Sequence, residues 1–332
     1  MKIWIDITNS PHVLFFEPII KHLKEKGHEI LVTARDYQQT IPLLIDKKIP
    51  FISLGKHHGK KRFSKILGGI LEIQRRIKFI EEYKPDLILS HQAFYATIAA
   101  RIKRKKSLYI FDGDGAFLQV LGIYFASKTM CPEQLPKKIG GISLKIRYPG
   151  IKEEVYLYNK KINKNYLEKL GLKRKKYNIL IRPEAGSASY IKEENILDPL
   201  LKELETQKDI QTIIIPRNPL QKEHYKKNFK KVIIFEKLIS GPDLIANVDL
   251  VLSGGGTMNR ESVALGTPTI SAFQNKPLSI DKWLVKKGYM HLITKPTIND
   301  VKKVLKSKGK YKMSDKGNQK IIKIIENMLN EK

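Results

Sequence analysis

The stretch Asp249–Pro268, DLVLSGGGTMNRESVALGTP, decides how the chain folds. Asp249 to Leu252 is a short apolar run of the kind a buried parallel strand gives. Ser253, Gly254, Gly255, Gly256 and Thr257 follow as a small, flexible loop. Met258 to Leu265 reads as a helix, ended by Gly266 and Pro268. Strand, glycine loop and helix N-terminus in this order make an anion site. Backbone N–H groups point outward, glycines permit close approach, and the helix dipole favours negative charge. Glu261 lies four residues after Thr257, so a carboxylate and a hydroxyl share one helix face. The same order also serves as a plain strand-to-helix turn with an ordinary first-turn acid. Three consecutive glycines exceed what a turn needs, which favours a ligand.

Around this stretch the second half alternates strands and helices. Asn178 to Ile181 is a strand ending in Arg182-Pro183-Glu184, followed by the small-residue loop Ala185–Ser189 and a helix over Glu193–Glu205. Gln211 to Ile215 is a strand ending in Pro216-Arg217-Asn218-Pro219. Strands over Val232–Phe235 and Thr269–Ala272, and helices over Ile298–Leu305 and Asn318–Leu329, complete the half. Arg182, Arg217 and the triple-glycine loop therefore fall at three carboxyl ends of one expected sheet. Two guanidinium forks and a helix N-terminus suit a diphosphate. A salt bridge would account for either arginine alone.

The first half opens on a strand at Lys2–Ile7, the loop Thr8-Asn9-Ser10-Pro11-His12 and a helix over Val13–Lys26. Strands at Glu29–Thr33 and Phe51–Leu54 flank a helix over Tyr37–Asp46, and such a βαβαβ start predicts a doubly wound parallel sheet. Ligands of such sheets sit at the carboxyl ends of the strands, where Asn9 to His12 lie. Gly55–Arg62 (GKHHGKKR) is a basic loop. His57 and His58 lack nearby acids or cysteines, which argues against a metal site. Phe63–Tyr83 is a long amphipathic helix with Ile66, Ile70, Ile73, Ile77 and Ile80 at helical spacing. Asp86–Ser90 is a strand followed by His91 and Gln92. Ser107–Phe111 is another, ending in Asp112-Gly113-Asp114-Gly115, which as a pattern fits a turn, a metal loop or a catalytic base. A calcium loop needs more acids at regular spacing. Thr129–Cys131 reads as the last strand of this half, and Tyr148-Pro149-Gly150 as a domain junction.

Composition bounds the rest. A chain of 332 residues suits two domains, and 42% hydrophobic with 29% charged residues describes a globular protein. No apolar run reaches membrane-spanning length, and MKIWIDITNS reads as a first strand, not a signal peptide. The sole cysteine, Cys131, excludes an intrachain disulfide and a cysteine-rich zinc cluster. A cytoplasmic protein is expected. The net charge of +29 comes mostly from short lysine runs. It fits nucleic acid, an anionic membrane surface, an anionic substrate, or simply a lysine-rich solvated surface. Aromatics at 8% and no RNA-module signature argue against nucleic acid. The oligomeric state leaves no mark in the sequence.

The segment SGGGTMNRESVALGTPTI resembles the donor-site stretch of two families. They are the lipid-linked N-acetylglucosaminyltransferase of peptidoglycan synthesis and the UDP-N-acetylglucosamine 2-epimerases. In both, the loop binds diphosphate and a glutamate of the following helix binds ribose, and Glu261 stands at that place. More closely, MKIWIDITNSPHVLFFEP, LVTARDYQQT, RPEAGSASY and SGGGTMNRESVALGTP together resemble an archaeal family, domain of unknown function 354, grouped with predicted glycosyltransferases.

This resemblance implies an α/β protein of the type-B glycosyltransferase fold, with two Rossmann-like doubly wound parallel-sheet domains facing a central cleft. Residues 1–150 would form the acceptor domain, with a C-terminal helix (313–332) packing back on it, and residues 151–312 the donor domain. The implied activity is metal-independent sugar transfer from a nucleotide-sugar, with UDP as the carrier. The nucleotide-sugar is then a substrate, and no cofactor is called for. The acceptor would be lipid-linked or at a membrane surface, placing the protein at the inner face of the membrane. The implied substrate-binding residues are Asn9, Ser10, His91, Arg182, Glu184, Arg217, Ser253, Gly254, Gly255, Gly256, Thr257 and Glu261. The catalytic candidates are His12, Asp112 and Asp114. His12 stands where the glycosyltransferase has a glycine-histidine loop, here without the glycine pair. FDGDGAF stands where the 2-epimerases carry an acidic, histidine-bearing stretch, here without the histidine and glutamate. A 2-epimerase is therefore the second reading, and a non-catalytic nucleotide or RNA binder the third.

Overall fold

The computed structural model describes residues 1–37, 39–56, 62–115, 118–173, 177–184, 195–235 and 239–331. The chain divides into two compact units, the first made of Met1–Tyr156 with Ser314–Lys332, the second of Leu157–Met313.

The first unit is built on β1 (Lys2–Ile7), β2 (Glu29–Asp36), β3 (Ile52–Lys56), β4 (Leu87–His91), β5 (Lys106–Ile110), β6 (Lys128–Pro132), β7 (Lys138–Ile139), β8 (Ile142–Ser143) and β9 (Ile146–Tyr148). Seven of these form one sheet in the order β3-β2-β1-β4-β5-β6-β9, and every pairing in it is parallel. β7 and β8 form an antiparallel hairpin between β6 and β9. The second unit carries β10 (Tyr177–Arg182), β11 (Ile210–Ile214), β12 (Ile233–Ile234), β13 (Leu250–Ser253), β14 (Thr269–Ser271) and β15 (His291–Leu292). Their order is β12-β11-β10-β13-β14-β15, again all parallel. In each sheet the direction of growth reverses beside the first strand, between β1 and β4 and between β10 and β13. Loops part at such a point and leave a crevice for a ligand.

Parallel strands covered by helices on both faces must be apolar throughout. β4 is buried at every residue and β1 at all but its first. The charged exception is Asp6, next to the last residue of β1 and fully buried. It accepts from Thr33 Oγ1 at 2.8 Å and from Arg76 Nε at 2.8 Å, while Trp4 Nε1 donates to Thr33 Oγ1. Arg76 also reaches Glu72 Oε2 at 2.6 Å. Burial by itself would lower the Arg76 pKa, but Asp6 and Glu72 outweigh it and hold the guanidinium above its ordinary value.

This network corrects the amphipathic pattern expected of the long helix, which runs Arg62–Tyr83. Ile70 is 50% exposed, and the inward face is carried by Glu72, Arg76, Phe79 and Ile80. Hydrophobic spacing misses a face that is buried through charge pairing. The last strand of the first half is also not Thr129–Cys131. β9 follows it, aligned Met130 to Ile146 and Pro132 to Tyr148. β9 hides in a basic stretch because Arg147 turns outward and donates to the carbonyls of Glu133, Leu135 and Pro136. The two-residue β15 likewise has no sequence signature.

The C-terminal helix, Lys316–Asn330, belongs to the first unit. Glu326 Oε1 lies 3.0 Å from His22 Nε2 on the first helix, and Lys106 and Lys128 of the sheet hold Glu331. A Cβ at Gly317 would stand 2.7 Å from the Pro149 carbonyl, so glycine permits this helix to start against the chain. Among the described residues no helix is long and apolar enough to cross a membrane.

Candidate functional site

Each sheet offers polar groups at its switch point. In the second unit, β13 ends at Ser253 and the helix Gly256–Ala264 begins after Gly255. Among the described residues no side chain caps this helix, so its first-turn N–H groups are available to an anion. The glycines are required by close approach. A Cβ at Gly254 would stand 2.9 Å from the Glu184 backbone, and one at Gly255 would collide with the Arg217 guanidinium. Ser253 Oγ is committed to the loop itself, accepting from Gly255 N–H at 3.1 Å.

Arg182 ends β10 and Arg217 follows β11, so both flank the loop. Arg217 Nε donates to the Pro183 carbonyl at 2.7 Å, and Gln221 Nε2 donates to the Glu184 carbonyl at 2.6 Å. These bonds fix the two strand ends to one another. Burial and the charge of Arg217 pull the Arg182 pKa down to about 10, with Glu261 opposing. Arg182 thus stays charged near neutrality but is poorly solvated, a state that an anion relieves. Glu261 is buried in the helix and Thr257 is half-buried. Glu184 is buried too, and among the described residues one of its carboxylate oxygens accepts no hydrogen bond. The expected loop 185–189 lies outside the described residues, as do His57 and His58.

Sequence reasoning missed what holds the helix in place. Arg260 forms a two-point pair with Asp281, 2.8 Å from Nε to Oδ1 and 3.0 Å from Nη2 to Oδ2. Asn259 Nδ2 donates to the Ser253 carbonyl at 3.3 Å. The partners lie 21 and 6 residues apart, and no local motif announces them.

In the first unit, the helix Ser10–Glu25 starts directly after β1, with Pro11 in its first turn. His12 is buried, and its ring lies against that of His91, the fully buried last residue of β4, with centroids 4.6 Å apart and planes tilted by 50°. The Phe15 ring also lies against His91, at 4.8 Å. Thr8 Oγ1 is 3.4 Å from His12 Nδ1. Asp112, just past β5, lies 3.7 Å from His91 Nε2 and 2.9 Å from Lys152 Nζ. Asp114 is half-buried, and the ion pairs of the cluster run through Asp112. Ser10 and Asn9 serve the loop's own architecture. Ser10 Oγ accepts from Gln39 N–H at 3.1 Å, and Arg35 Nη2 donates to the Thr8 carbonyl at 3.1 Å and to Asn9 Oδ1 at 3.4 Å. No sequence motif points to Arg35, Lys152 or Glu153. Ile151–Leu157, IKEEVYL, looks like the start of a polar linker, yet all seven residues are buried.

The two imidazoles are kept neutral. Burial, followed by His91 and Lys152, holds His12 well below the ordinary histidine value, with Asp112 opposing. Burial takes His91 down to about 3 against the pull of Asp112, with Lys152 adding to the descent. A histidine with a folded pKa below its unfolded value of about 6.5 stabilises the fold fully above that pH. The contribution is lost as the pH falls from about 6.5 toward 3. His91→Phe should therefore flatten the acid side of a plot of melting temperature against pH, relative to wild type. Parallel curves between pH 6.5 and 4 would refute the assignment. Cys131 is buried and its thiol pKa pushed up to about 11 by burial, which leaves it an inert core residue. Among the described residues no three His, Cys, Asp or Glu side chains are grouped to hold a metal ion.

Comparison with known proteins places these units in a family. The family model described as protein of unknown function (DUF354) matches residues 1–331. The chain belongs to this family. An uncharacterized protein of Methanocaldococcus jannaschii, MJ0665, is 28% identical over 92% of this chain and 90% of its own length. Among solved structures, the chain is similar to the UDP-GlcNAc 2-epimerase of M. jannaschii in complex with UDP-GlcNAc and UDP. Its TM-score is 0.75 at 16% identity, covering 98% of this chain and all of the other. MurG of Acinetobacter baumannii is similar at a TM-score of 0.61 and 14% identity, covering 98% of this chain and all of the other. These likenesses show the fold of this DUF354 member to be that of the type-B glycosyltransferases and 2-epimerases.

Proposed function

We propose that the protein transfers a sugar from a UDP-sugar to an acceptor hydroxyl. The observation that carries this reading is the switch point of the second unit, where Arg182, Arg217 and an uncapped helix N-terminus surround a loop of glycines. That array suits a leaving diphosphate, whose developing charge it would stabilise. Glu261 would bind the ribose hydroxyls. In the first unit, neutral His12 takes the acceptor proton as the acceptor oxygen bonds to the anomeric carbon. The bond from that carbon to the diphosphate oxygen breaks, and UDP leaves with the electron pair. Asp112 then offsets the charge gained by the imidazole. The lysine-rich surface supports an acceptor held at an anionic membrane.

M. jannaschii holds both a UDP-GlcNAc 2-epimerase and the relative MJ0665, which supports a separate reaction for this family. The second reading, 2-epimerisation, is favoured by the buried acid and base groups around Asp112. Solvent deuterium entering C2 of UDP-GlcNAc without any acceptor would select it.

The donor site is tested by thermal shift with a panel of nucleotides and nucleotide-sugars. A ligand at a hundred times its dissociation constant adds about 2.7 kcal/mol of stability. Glu261→Ala should weaken UDP-sugar binding by roughly 10- to 100-fold, the value of a hydrogen bond to a charged group. A shift of equal size in the variant would remove Glu261 from the site. No shift with any nucleotide would overturn the function.

A further inference from the structure

We propose that Lys152 is a positioning residue for this chemistry, which by taking the Asp112 carboxylate as its ion-pair partner sets the orientation and charge of the His12–His91 pair. The inference rests on the proposed function in assigning His12 as the base. Its electrostatic content stands apart from that assignment.

Lysine is among the residues least often fully buried, yet Lys152 is only 4% exposed. Its ammonium group is 2.9 Å from Asp112 Oδ2 and 3.6 Å from Glu153 Oε1. The other Asp112 oxygen, Oδ1, faces His91 Nε2 at 3.7 Å, too long for a hydrogen bond. An ammonium group and a neutral imidazole therefore face one buried carboxylate, and the ammonium group holds the shorter contact. A carboxylate facing an imidazole alone would draw a proton onto it. Lys152 weakens that attraction by its own repulsion of a positive charge on either ring. Among the described residues Arg35 also disfavours a charge on His12, and Glu153 pairs with Lys152. His91 is in ring contact with both His12 and Phe15, and a charge on it acts directly on His12. The result is a base that is neutral at rest and has a carboxylate nearby once it takes a proton.

The test uses the full chain with isotope-labelled histidine and follows the imidazole resonances from pH 5 to 9. His12→Gln and His91→Gln variants assign the signals. In wild type both rings should stay neutral across the range. In Lys152→Met and Lys152→Gln, at least one ring should rise by about 2 to 3 pH units, enough to bring its titration into the range. Lys152→Arg should behave as wild type, and Lys152→Met/Asp112→Asn should return both rings to neutrality. The double variant and Lys152→Gln also keep the test open where Lys152→Met alone does not fold. The acid limb of kcat/KM should move to higher pH in Lys152→Gln, with activity recovered above it, whereas a merely structural lysine would lower activity evenly at all pH. Unmoved imidazoles in the Lys152 variants overturn the proposal, whatever the activity. Imidazoles that move as expected, in a protein that transfers no sugar, uphold the charge relation and overturn the function.

Discussion

His12→Gln should lower kcat for sugar transfer by about 100- to 10,000-fold and leave UDP-sugar affinity unchanged. Glutamine keeps most of the volume packed against His91 and can still hydrogen bond Thr8, so the packing persists while the base is lost. The donor groups, Arg182, Arg217, Glu261 and the glycine loop, all belong to the second unit. Removing a base from the first unit should therefore appear in kcat and not in the thermal shift caused by UDP. The pH profile carries a second signature. His12 is held below the ordinary histidine value, so wild-type activity should persist below pH 6.5, where an unperturbed imidazole would be half protonated. A His12→Gln enzyme within threefold of wild type would place the base elsewhere, with Asp112 the next to test.

The contrast between the two units shows what a sequence discloses. The proposed donor site is written largely in contiguous residues, because a glycine loop between a strand and a helix is a local device. Ser253 to Glu261 and the strand-end arginines could be read directly, and the structure brings them to one sheet edge. The first-unit cluster is assembled from four separate places: His12 after β1, His91 ending β4, Asp112 after β5, and Lys152 after β9. His12 and Asp112 were legible as strand-end residues of a doubly wound sheet. Lys152 was not, because a Lys-Glu-Glu run normally marks a solvated surface, and only the ion pair with Asp112 reverses that expectation. The parallel sheets followed from alternating apolar runs. β9 and β15, at three and two residues, fall below the length at which periodicity carries information.

The same reversal makes Arg76 the residue whose loss should most damage the fold. Arg76→Met should destabilise the first unit by about 3–5 kcal/mol, the usual cost of leaving one member of a buried pair alone. Asp6 loses its guanidinium partner and keeps the Thr33 hydroxyl as a donor, while Glu72 keeps Arg75. Methionine fills much of the space, so the loss reports charge more than cavity. Arg76→Met/Asp6→Asn should recover a large part of that loss, since a neutral amide can still accept from Thr33. The two units have separate cores, so a single global transition is not assumed. In a Trp283→Phe background, Trp4 becomes the sole tryptophan, and its fluorescence in urea follows the first unit alone. If the single and double variants unfold at the same urea concentration, the pair is not coupled, and the burial of Arg76 is a matter of packing instead of charge.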